Sequence, residues 1–511
     1  MNTPARTEPA SGAPDLGPRA AAPARPLRRA GLAVLAALAI AGCADMRGIA
    51  PTAQLSDPAA IGAGRALPEG ASASATTAAR PADNAAPPIT WPGDRWWTSL
   101  GDDRLTALID NALADAPSMR IAAARLAQAQ AGTETARAAL LPRADAQASV
   151  TRERFTENYI YPAPLAGSVD SDALLRLGGQ WELDLFGRNR AALEAALGQA
   201  RAAEADLAAA RWILSTQIAT AYIDLARDIE LRELLIATRE QRQHIRQLVS
   251  DRVSAGLDTN VELRQAETTV PQTGQDIAAA EERIELGRIT LAALAGIAPQ
   301  TLADLKPALG ATRVLPPPAV IPADLIGRRA DVTGARRRVE AALAGVDVAR
   351  AAFYPNVNLS AFVGFHALGL GDWIDAGSRE WGVAPAISLP IFEGGRLRAQ
   401  LKTRAAAADE AIGVYNLTLT LAIRDVANAL TSGRAIDRQA EQQRAAQAAA
   451  ESAYDLAEQR YRAGLGSFLT VLSAESSVLA ERRRGTELRA RALENQISLV
   501  RALGGGYTTG S

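Results

Sequence analysis

The chain has 511 residues, a formal net charge of -1 and a pI near 6.3, so its overall charge offers no attraction to nucleic acid. Aromatic residues make up only 4% of the sequence, whereas alanine, leucine and arginine are abundant, which favours long helices over a conventional globular core. The single cysteine, Cys43, excludes an intrachain disulfide.

A lipoprotein signal peptide is predicted over residues 1–42. Arginines precede an apolar run from Ala30 to Ala41, which is too short to cross a bilayer and is typical of a signal peptide. The small residues directly before Cys43 resemble a bacterial lipobox, in which the cysteine becomes the lipidated N-terminus of the mature protein. We therefore expect Cys43 to carry an S-linked diacylglycerol and an N-linked acyl chain. The alternative is a buried free cysteine behind an ordinary signal.

The next segment, residues 43–90, is predicted to be a flexible tether between the lipid and the folded body. It is rich in Ala, Pro, Ser and Thr and shows no periodicity, as is typical of linkers. Ala44 follows the cysteine, and a residue other than aspartate there implies release of a bacterial lipoprotein to the outer membrane.

The remaining chain contains one unit twice. The segment Arg252–Leu257 recurs as Arg460–Leu465, 208 residues later, and Arg137–Pro142 matches Arg350–Pro355 at an offset of 213. The predicted organisation is therefore a first repeat, a proline-rich linker and a second repeat, over residues 91–310, 311–322 and 323–507.

Each repeat contains two segments in which apolar and polar residues alternate, and these predict strands over residues 143–151, 174–185, 356–365 and 380–391. In the second segment, Leu175, Leu177 and Trp181 share one face, with Arg176 and Gln180 on the other. Lengths of about 9 to 12 residues suit tilted transmembrane strands. An ordinary soluble sheet with one wet face is the alternative. Charge confined to one face favours lumen-facing and lipid-facing sides.

Four strands cannot close a transmembrane barrel, because known barrels have at least eight strands and open edges are not tolerated in lipid. Several chains must therefore share one barrel. After each pair of strands, a long proline-poor segment predicts a helical hairpin, over residues 188–296 and 394–503. A helix of about 65 residues is about 100 Å long. Gly256 and Gly464, in the repeated Ala-Gly-Leu, are the predicted hairpin turns.

Five stretches carry a family resemblance: Trp91-Pro92 with Trp96-Trp97, Leu183–Arg188, Arg424–Leu430, Arg460–Gly464 and Leu503–Tyr507. Together with the duplication, they resemble the outer-membrane factors of tripartite efflux pumps, in the NodT-type, OprM-like lipoprotein branch, with TolC-like channels as more distant relatives. The resemblance covers residues 88–507.

The resemblance implies an α+β membrane protein with the internally duplicated outer-membrane efflux fold. A homotrimer would close a 12-strand β-barrel in outer-membrane lipid and a 12-helix α-barrel through the periplasm of a Gram-negative bacterium. It also implies two partners, a periplasmic membrane-fusion adaptor and an inner-membrane transporter of the resistance-nodulation-division (RND) type. Drugs or small toxic compounds would pass through passively.

The family's periplasmic tips close by converging helices, and the resemblance places candidate gate residues in both hairpins. Tyr461 and Leu469 match a tip tyrosine and an apolar gate ring, and Glu262 matches an acid of the first hairpin. Thr470 and Ser473 stand where relatives carry aspartates, so the acidic charge could come instead from Glu262 and Asp258. The alternatives are a helix cap for Asp258, a solvated charge for Glu262 and coiled-coil core for Leu469.

Other functional classes fit less well. The only histidines, His244 and His366, are about 120 residues apart, and no phosphate-binding loop is present, so neither an enzyme nor a metal or cofactor site is expected. A lipid-anchored periplasmic coiled-coil scaffold would explain the helices and Cys43 but not four alternating strands. Within the channel class, the alternative is the outer-membrane component of type I protein secretion.

Overall fold

The computed structural model describes residues 46–56, 93–312 and 329–507. The predicted signal peptide, Cys43, Trp91-Pro92, most of the predicted tether and most of the linker lie outside these ranges. A short 3-10 helix, Trp96–Leu100, opens the body. The helices and strands that follow are α1 (Asp103–Asp115), α2 (Pro117–Ala138), β1 (Arg143–Arg154), β2 (Val169–Leu183), α3 (Arg188–Ser254), α4 (Asn260–Ala295), α5 (Ala330–Ala351), β3 (Asn356–Leu368), β4 (Arg379–Ser388), α6 (Arg396–Arg462) and α7 (Phe468–Leu503).

The four strands form one antiparallel sheet in the order β1-β2-β3-β4. Partner residues in this register lie on the same side of the sheet, and one row joins Ala146, Leu177, Val363 and Trp381. The apolar faces of all four strands therefore coincide, as the alternation predicted. We call this face the outer face of the sheet and the opposite, polar face the inner face.

Most strand ends differ from the predicted ones by a few residues, and β1 and β3 each extend three residues further, to Arg154 and Leu368. Strand β2 begins at Val169, five residues before the predicted start, because the β1–β2 hairpin continues until Phe155 N–H donates to the Ser168 carbonyl. Strand β4 ends at Ser388, before the predicted residue 391. Pro390 has no N–H with which to extend the ladder.

The two repeats give two helical hairpins, α3–α4 and α6–α7, that run away from the sheet. Helices α3 and α6 each contain 67 residues, which at 1.5 Å per residue is about 100 Å. Small residues let the helices approach closely: a Cβ added to Gly198 of α3 would lie 2.8 Å from the Cβ of Ala341 in α5. Among the described residues, no helix is both long enough and apolar enough to cross a membrane.

Trp212 of α3 packs against residues near the start and near the end of the described chain. The indole of Trp96 donates a hydrogen bond to Ser215 Oγ at 3.1 Å, and its ring centroid lies 6.3 Å from that of Trp212. Gly505, near the C-terminus, has a φ of +72°, and a Cβ there would lie 2.5 Å from the Trp212 ring. The first and last motifs that carry the family resemblance therefore meet at one residue.

Residues 46–56 pack along the outside of the body, so the predicted flexible tether is wrong for this part of the chain. Ile49 is buried against α5 and α6. The Asp409 carboxylate accepts hydrogen bonds from the N–H groups of Thr52 at 2.7 Å and Ala53 at 2.8 Å. Asn416 accepts from Ser56 N–H at 2.8 Å. Composition could not predict this order, because its partners lie more than 350 residues away.

Candidate gate at the tips of the helical hairpins

Both hairpins turn at the same local structure. Gly256 and Gly464 have φ values of +73° and +74°, a region that costs little energy only for glycine. The Leu257 N–H donates to the Arg252 carbonyl at 2.9 Å, and the Leu465 N–H donates to the Arg460 carbonyl at 2.8 Å. These are the bonds of a Schellman motif, which ends a helix and reverses the chain. The repeated six-residue sequence therefore encodes the helix end and the chain reversal at both tips.

The two tips are joined by a cluster that we call the tip network: Arg252, Asp258 and Tyr461. Arg252 donates to both carboxylate oxygens of Asp258, at 2.8 and 3.2 Å, and Tyr461 donates its hydroxyl proton to the same carboxylate. The Arg252 guanidinium also lies 4.6 Å from the centre of the Tyr461 ring and donates to the Tyr461 carbonyl at 3.1 Å. One arginine thus connects the first hairpin to the second through charge, backbone and ring.

The tip network is shielded from solvent. Tyr461 is 1% exposed, and the side chains of Arg252 and Asp258 are 13% and 12% exposed. The hydrogen bonds from Arg252 hold the pKa of Asp258 below its ordinary value. Burial, with a further contribution from the adjacent carboxylate, raises the pKa of Tyr461. At neutral pH the carboxylate is therefore ionised and the phenol keeps the proton that it donates.

A second polar contact joins the hairpins further from the turns. Arg242 of α3 and Glu475 of α7 form an ion pair with an N–O distance of 3.2 Å, and their side chains are only 12% and 8% exposed. Arg242 also donates to Thr273 Oγ1 of α4 at 2.9 Å. Burial raises the pKa of Glu475, and the arginine opposes that shift. This contact therefore holds three helices together at one point.

The other predicted gate residues lie outside the tip network. Glu262 accepts from the Thr259 N–H at 3.0 Å, so it completes a capping box at the start of α4. Thr259, not Asp258, is therefore the N-cap of that helix. Leu469 is 67% exposed, so it is not part of the core of this chain.

Thr470 and Ser473 are exposed on the same helix as Leu469. Of the six predicted gate residues, the structure thus brings together Asp258 and Tyr461. Arg252 and Arg242 were not predicted. The sequence held one signal for Arg252, since it is the first residue of the repeated turn motif and lies six residues before Asp258. Arg242 lies in the middle of a long helix and has no such local signal.

These features define a class of protein, a membrane channel subunit. Its sheet has an apolar face for lipid and a polar face, and its helical hairpins are about 100 Å long and are connected at their tips. The chain belongs to the outer membrane efflux protein family, whose model matches residues 108–297 and 321–505.

The fusaric acid resistance protein FusA of Burkholderia cepacia is 39% identical over 379 residues, covering 72% of this chain and 68% of FusA. The multidrug resistance outer membrane protein MdtP of Shigella flexneri is 32% identical over 425 residues, covering 82% of this chain and 87% of MdtP. The crystal structure of the outer membrane protein VceC from Vibrio cholerae matches with a TM-score of 0.78 and 36% identity, covering 82% of this chain and 100% of that one.

The chain is therefore an outer-membrane efflux duct of a tripartite system in a Gram-negative bacterium, with a long periplasmic helical extension. The predicted family, fold and location are confirmed. The family and its structural neighbours are channel proteins, which does not agree with the alternative of a periplasmic coiled-coil scaffold.

Proposed function

We propose that three copies of this chain form a passive conduit that receives small toxic organic compounds from a periplasmic membrane-fusion adaptor and an inner-membrane RND-type transporter. One observation supports the assembly. Among the described residues, β1 pairs with β2 alone and β4 pairs with β3 alone, so a sheet with an apolar face has two open edges. Open edges in lipid leave backbone groups without partners. Joining β4 of one copy to β1 of the next satisfies both edges, and three copies give twelve strands.

The proposed cargo is small aromatic acids and related toxic compounds. FusA is a fusaric acid resistance protein and MdtP is a multidrug resistance protein, and both match most of this chain. The competing cargo is a polypeptide, as in type I secretion. A deletion strain should become more sensitive to fusaric acid, other aromatic acids and dyes, and the wild-type gene should restore resistance. Unchanged sensitivity together with a lost secreted protein would favour the alternative.

The assembly is tested on the purified full-length protein. We expect a heat-modifiable trimer on a native gel, and ion conductance in a planar bilayer from the fraction that contains the trimer. A monomer without conductance would contradict the proposal, because four strands alone leave the sheet open.

The proposed gate is the helical tip. The tip network connects the two hairpins of one chain through Arg252, Asp258 and Tyr461. Leu469 is exposed in the single chain, and in this proposal it meets its copies in neighbouring chains. In this proposal, Glu262 acts through the cap of α4 and keeps the first tip in place. Thr470 and Ser473 supply polar, uncharged positions on the same helix as Leu469.

We also propose that Cys43 is lipidated with an S-diacylglycerol and an N-acyl chain. The support is the course of residues 46–56, which begin three residues after Cys43. Ile49 belongs to a buried cluster with Phe353 and Leu397, which lie near the junction of the helices and the sheet, so residue 49 is at the membrane side of the body. Labelled palmitate should enter the wild-type protein and not the Cys43→Ala variant. Equal labelling of both would contradict the proposal.

A further inference from the structure

Charge is segregated between the two faces of the sheet. By the register of β1–β4, the inner face carries both signs, on Arg143, Asp145, Glu153, Asp170, Asp172, Arg176, Glu182 and Glu380. The outer face of the same four strands carries charge at only three positions, and all three are arginines: Arg152, Arg154 and Arg379. A face directed at lipid thus has positive charge and no acidic residue within its strands.

The three arginines lie at one end of the sheet. Arg152 and Arg154 close β1, directly before the connection 155–168, and Arg379 opens β4, directly after the connection 369–378. In an antiparallel sheet these two connections lie at the same end, which is opposite to the end where the long helices begin. The arginines therefore mark the end of the sheet that points away from the periplasm.

An apolar band begins immediately below them. The next outer-face residues towards the helices are Val150, which is 50% exposed, and Trp381, which is 78% exposed. Along β3, the uncharged outer-face residues run from Ala367, which shares a row with Val150, to Val357, a distance of ten residues or about 33 Å along the strand. With the usual tilt of 35–45°, this spans about 25 Å of membrane height, the thickness of the apolar band of outer-membrane proteins. The arginines thus lie at the outer boundary of the hydrocarbon.

These guanidinium groups are available for an external anion. Arg379 is exposed, and its side chain has no ion pair or hydrogen bond to any residue within the described ranges. The contact of Arg152 is a 3.4 Å hydrogen bond to Ser171 Oγ. Arg154 pairs with Glu157 at 3.1 Å, but both side chains are 66% exposed, so this pair is weak. A guanidinium offers paired donors that match the oxygens of a phosphate group.

We propose that Arg152, Arg154 and Arg379 bind the phosphate groups of the anionic glycolipid that forms the outer leaflet of the bacterial outer membrane. Charge complementarity selects this occupant: the site faces lipid, lies at head-group height and carries cations without acids on the strand face. Basic residues at a membrane surface recognise anionic head groups in this way. The proposal depends on the outer-membrane location of the sheet and not on the cargo of the channel.

The experiment measures lipid retained by the full-length protein. The protein is reconstituted in phosphatidylcholine containing bisphosphorylated lipid A, extracted in mild detergent, and examined by native mass spectrometry. We expect wild-type protein to retain bisphosphorylated lipid A and not its dephosphorylated form. Equal retention of both forms by the wild type would overturn the proposal without any substitution.

The variant R152Q/R154Q/R379Q should bind the lipid about a hundredfold more weakly, at about fivefold for each arginine removed. The matched control removes three exposed arginines from the helices, in R264Q/R336Q/R483Q, and should bind as the wild type does. Equal loss in both variants, or no loss in the first, would contradict the assignment. Conductance of the first variant in a bilayer verifies that it folds, and separates this result from any failure of the proposed transport function.

Discussion

Asp258 receives donors from two different hairpins, and this makes one side chain decisive for the geometry of the tip. Arg252 belongs to the same hairpin as Asp258, whereas Tyr461 belongs to the other. Because all three side chains are largely buried, removing one charge leaves another without a partner in a site that water reaches poorly.

The substitution Asp258→Asn preserves size but removes the charge that holds Arg252. We expect the tips to separate more easily and the mean single-channel conductance to rise several-fold in a planar bilayer. The matched control is Arg264→Gln, which breaks an exposed ion pair with Glu267 on the same hairpin and should leave conductance unchanged. Wild-type conductance in the Asp258→Asn protein would remove the tip network from the gate.

The pH dependence follows from the same carboxylate. Arg252 lowers the pKa of Asp258 from its ordinary value of 3.8. The stabilisation that ionised Asp258 gives the closed tip is therefore fully present above the pKa of the unfolded state, and it is lost only as the pH falls through the pKa of the folded state. Conductance should therefore stay constant from about pH 5 to 8 and rise only below about pH 4. Recordings across this range should show no acid step in the Asp258→Asn variant. A step near neutral pH in the wild type would contradict this assignment.

Leu469 tests whether the channel also has an apolar constriction. The side chain is 67% exposed in the single chain, so Leu469→Ala should leave the melting temperature unchanged. If copies of this leucine meet at the pore axis, the variant should conduct more in a planar bilayer. Leu456→Ala, at a 57% exposed leucine of α6, is the control. Unchanged conductance in Leu469→Ala would exclude the leucine from the gate.

At the scale of elements, the hairpins are held together by few polar contacts within a surface of small apolar residues. The buried pair Arg242–Glu475 is the clearest, because it connects α3 to α7 and also reaches α4 through Thr273. Such a pair specifies how helices align more than it stabilises them, since the loss of solvation on burial offsets much of the attraction.

Arg242→Met should therefore destabilise the protein by about 3–5 kcal/mol, because it leaves the buried Glu475 without a counter-charge. The double variant Arg242→Met/Glu475→Leu should recover most of this loss. Thermal melting in detergent, followed by circular dichroism, measures both. Arg232→Met, which breaks a more exposed pair with Glu281, should cost less than about 1 kcal/mol. Equal stability of the single and double variants would contradict this interpretation.

At the scale of the whole molecule, the sheet and the helices serve different surroundings. The sheet presents apolar side chains on its outer face and charges on its inner face, whereas the helices bury mainly alanine, leucine and isoleucine against one another. The sheet remains incomplete within one chain, so its stability in a membrane depends on assembly.

Two neighbouring residues of β4 test the assignment of the faces. Val383 lies on the outer face, and Val383→Lys should cost about 2–4 kcal/mol and reduce the heat-modifiable trimer on a gel. Ala384 lies on the inner face, and Ala384→Lys should leave the trimer intact while changing the conductance. The opposite pattern would mean that the faces are reversed.

The sequence alone determined the duplication, the strands, the long helices and the turns at Gly256 and Gly464. Local patterns specify these features: apolar residues at every second position of a strand, an apolar seam along a helix, and a glycine where φ must be positive. The candidate gate was predictable only in part. Asp258 and Tyr461 were named, but their union through Arg252 required two segments about 200 residues apart to meet.

Only the tertiary structure decided which side chains meet across the hairpins. In the structure, Glu262 caps helix α4 and Arg242 pairs with Glu475. Residues 46–56 are held by hydrogen bonds to Asp409. The tertiary structure also aligned the four strands so that three arginines became the only charges on the outer face. The physical reason is the same in each case: patterns along a chain specify local geometry, whereas partners distant in sequence are chosen by packing, register and the loss of solvent.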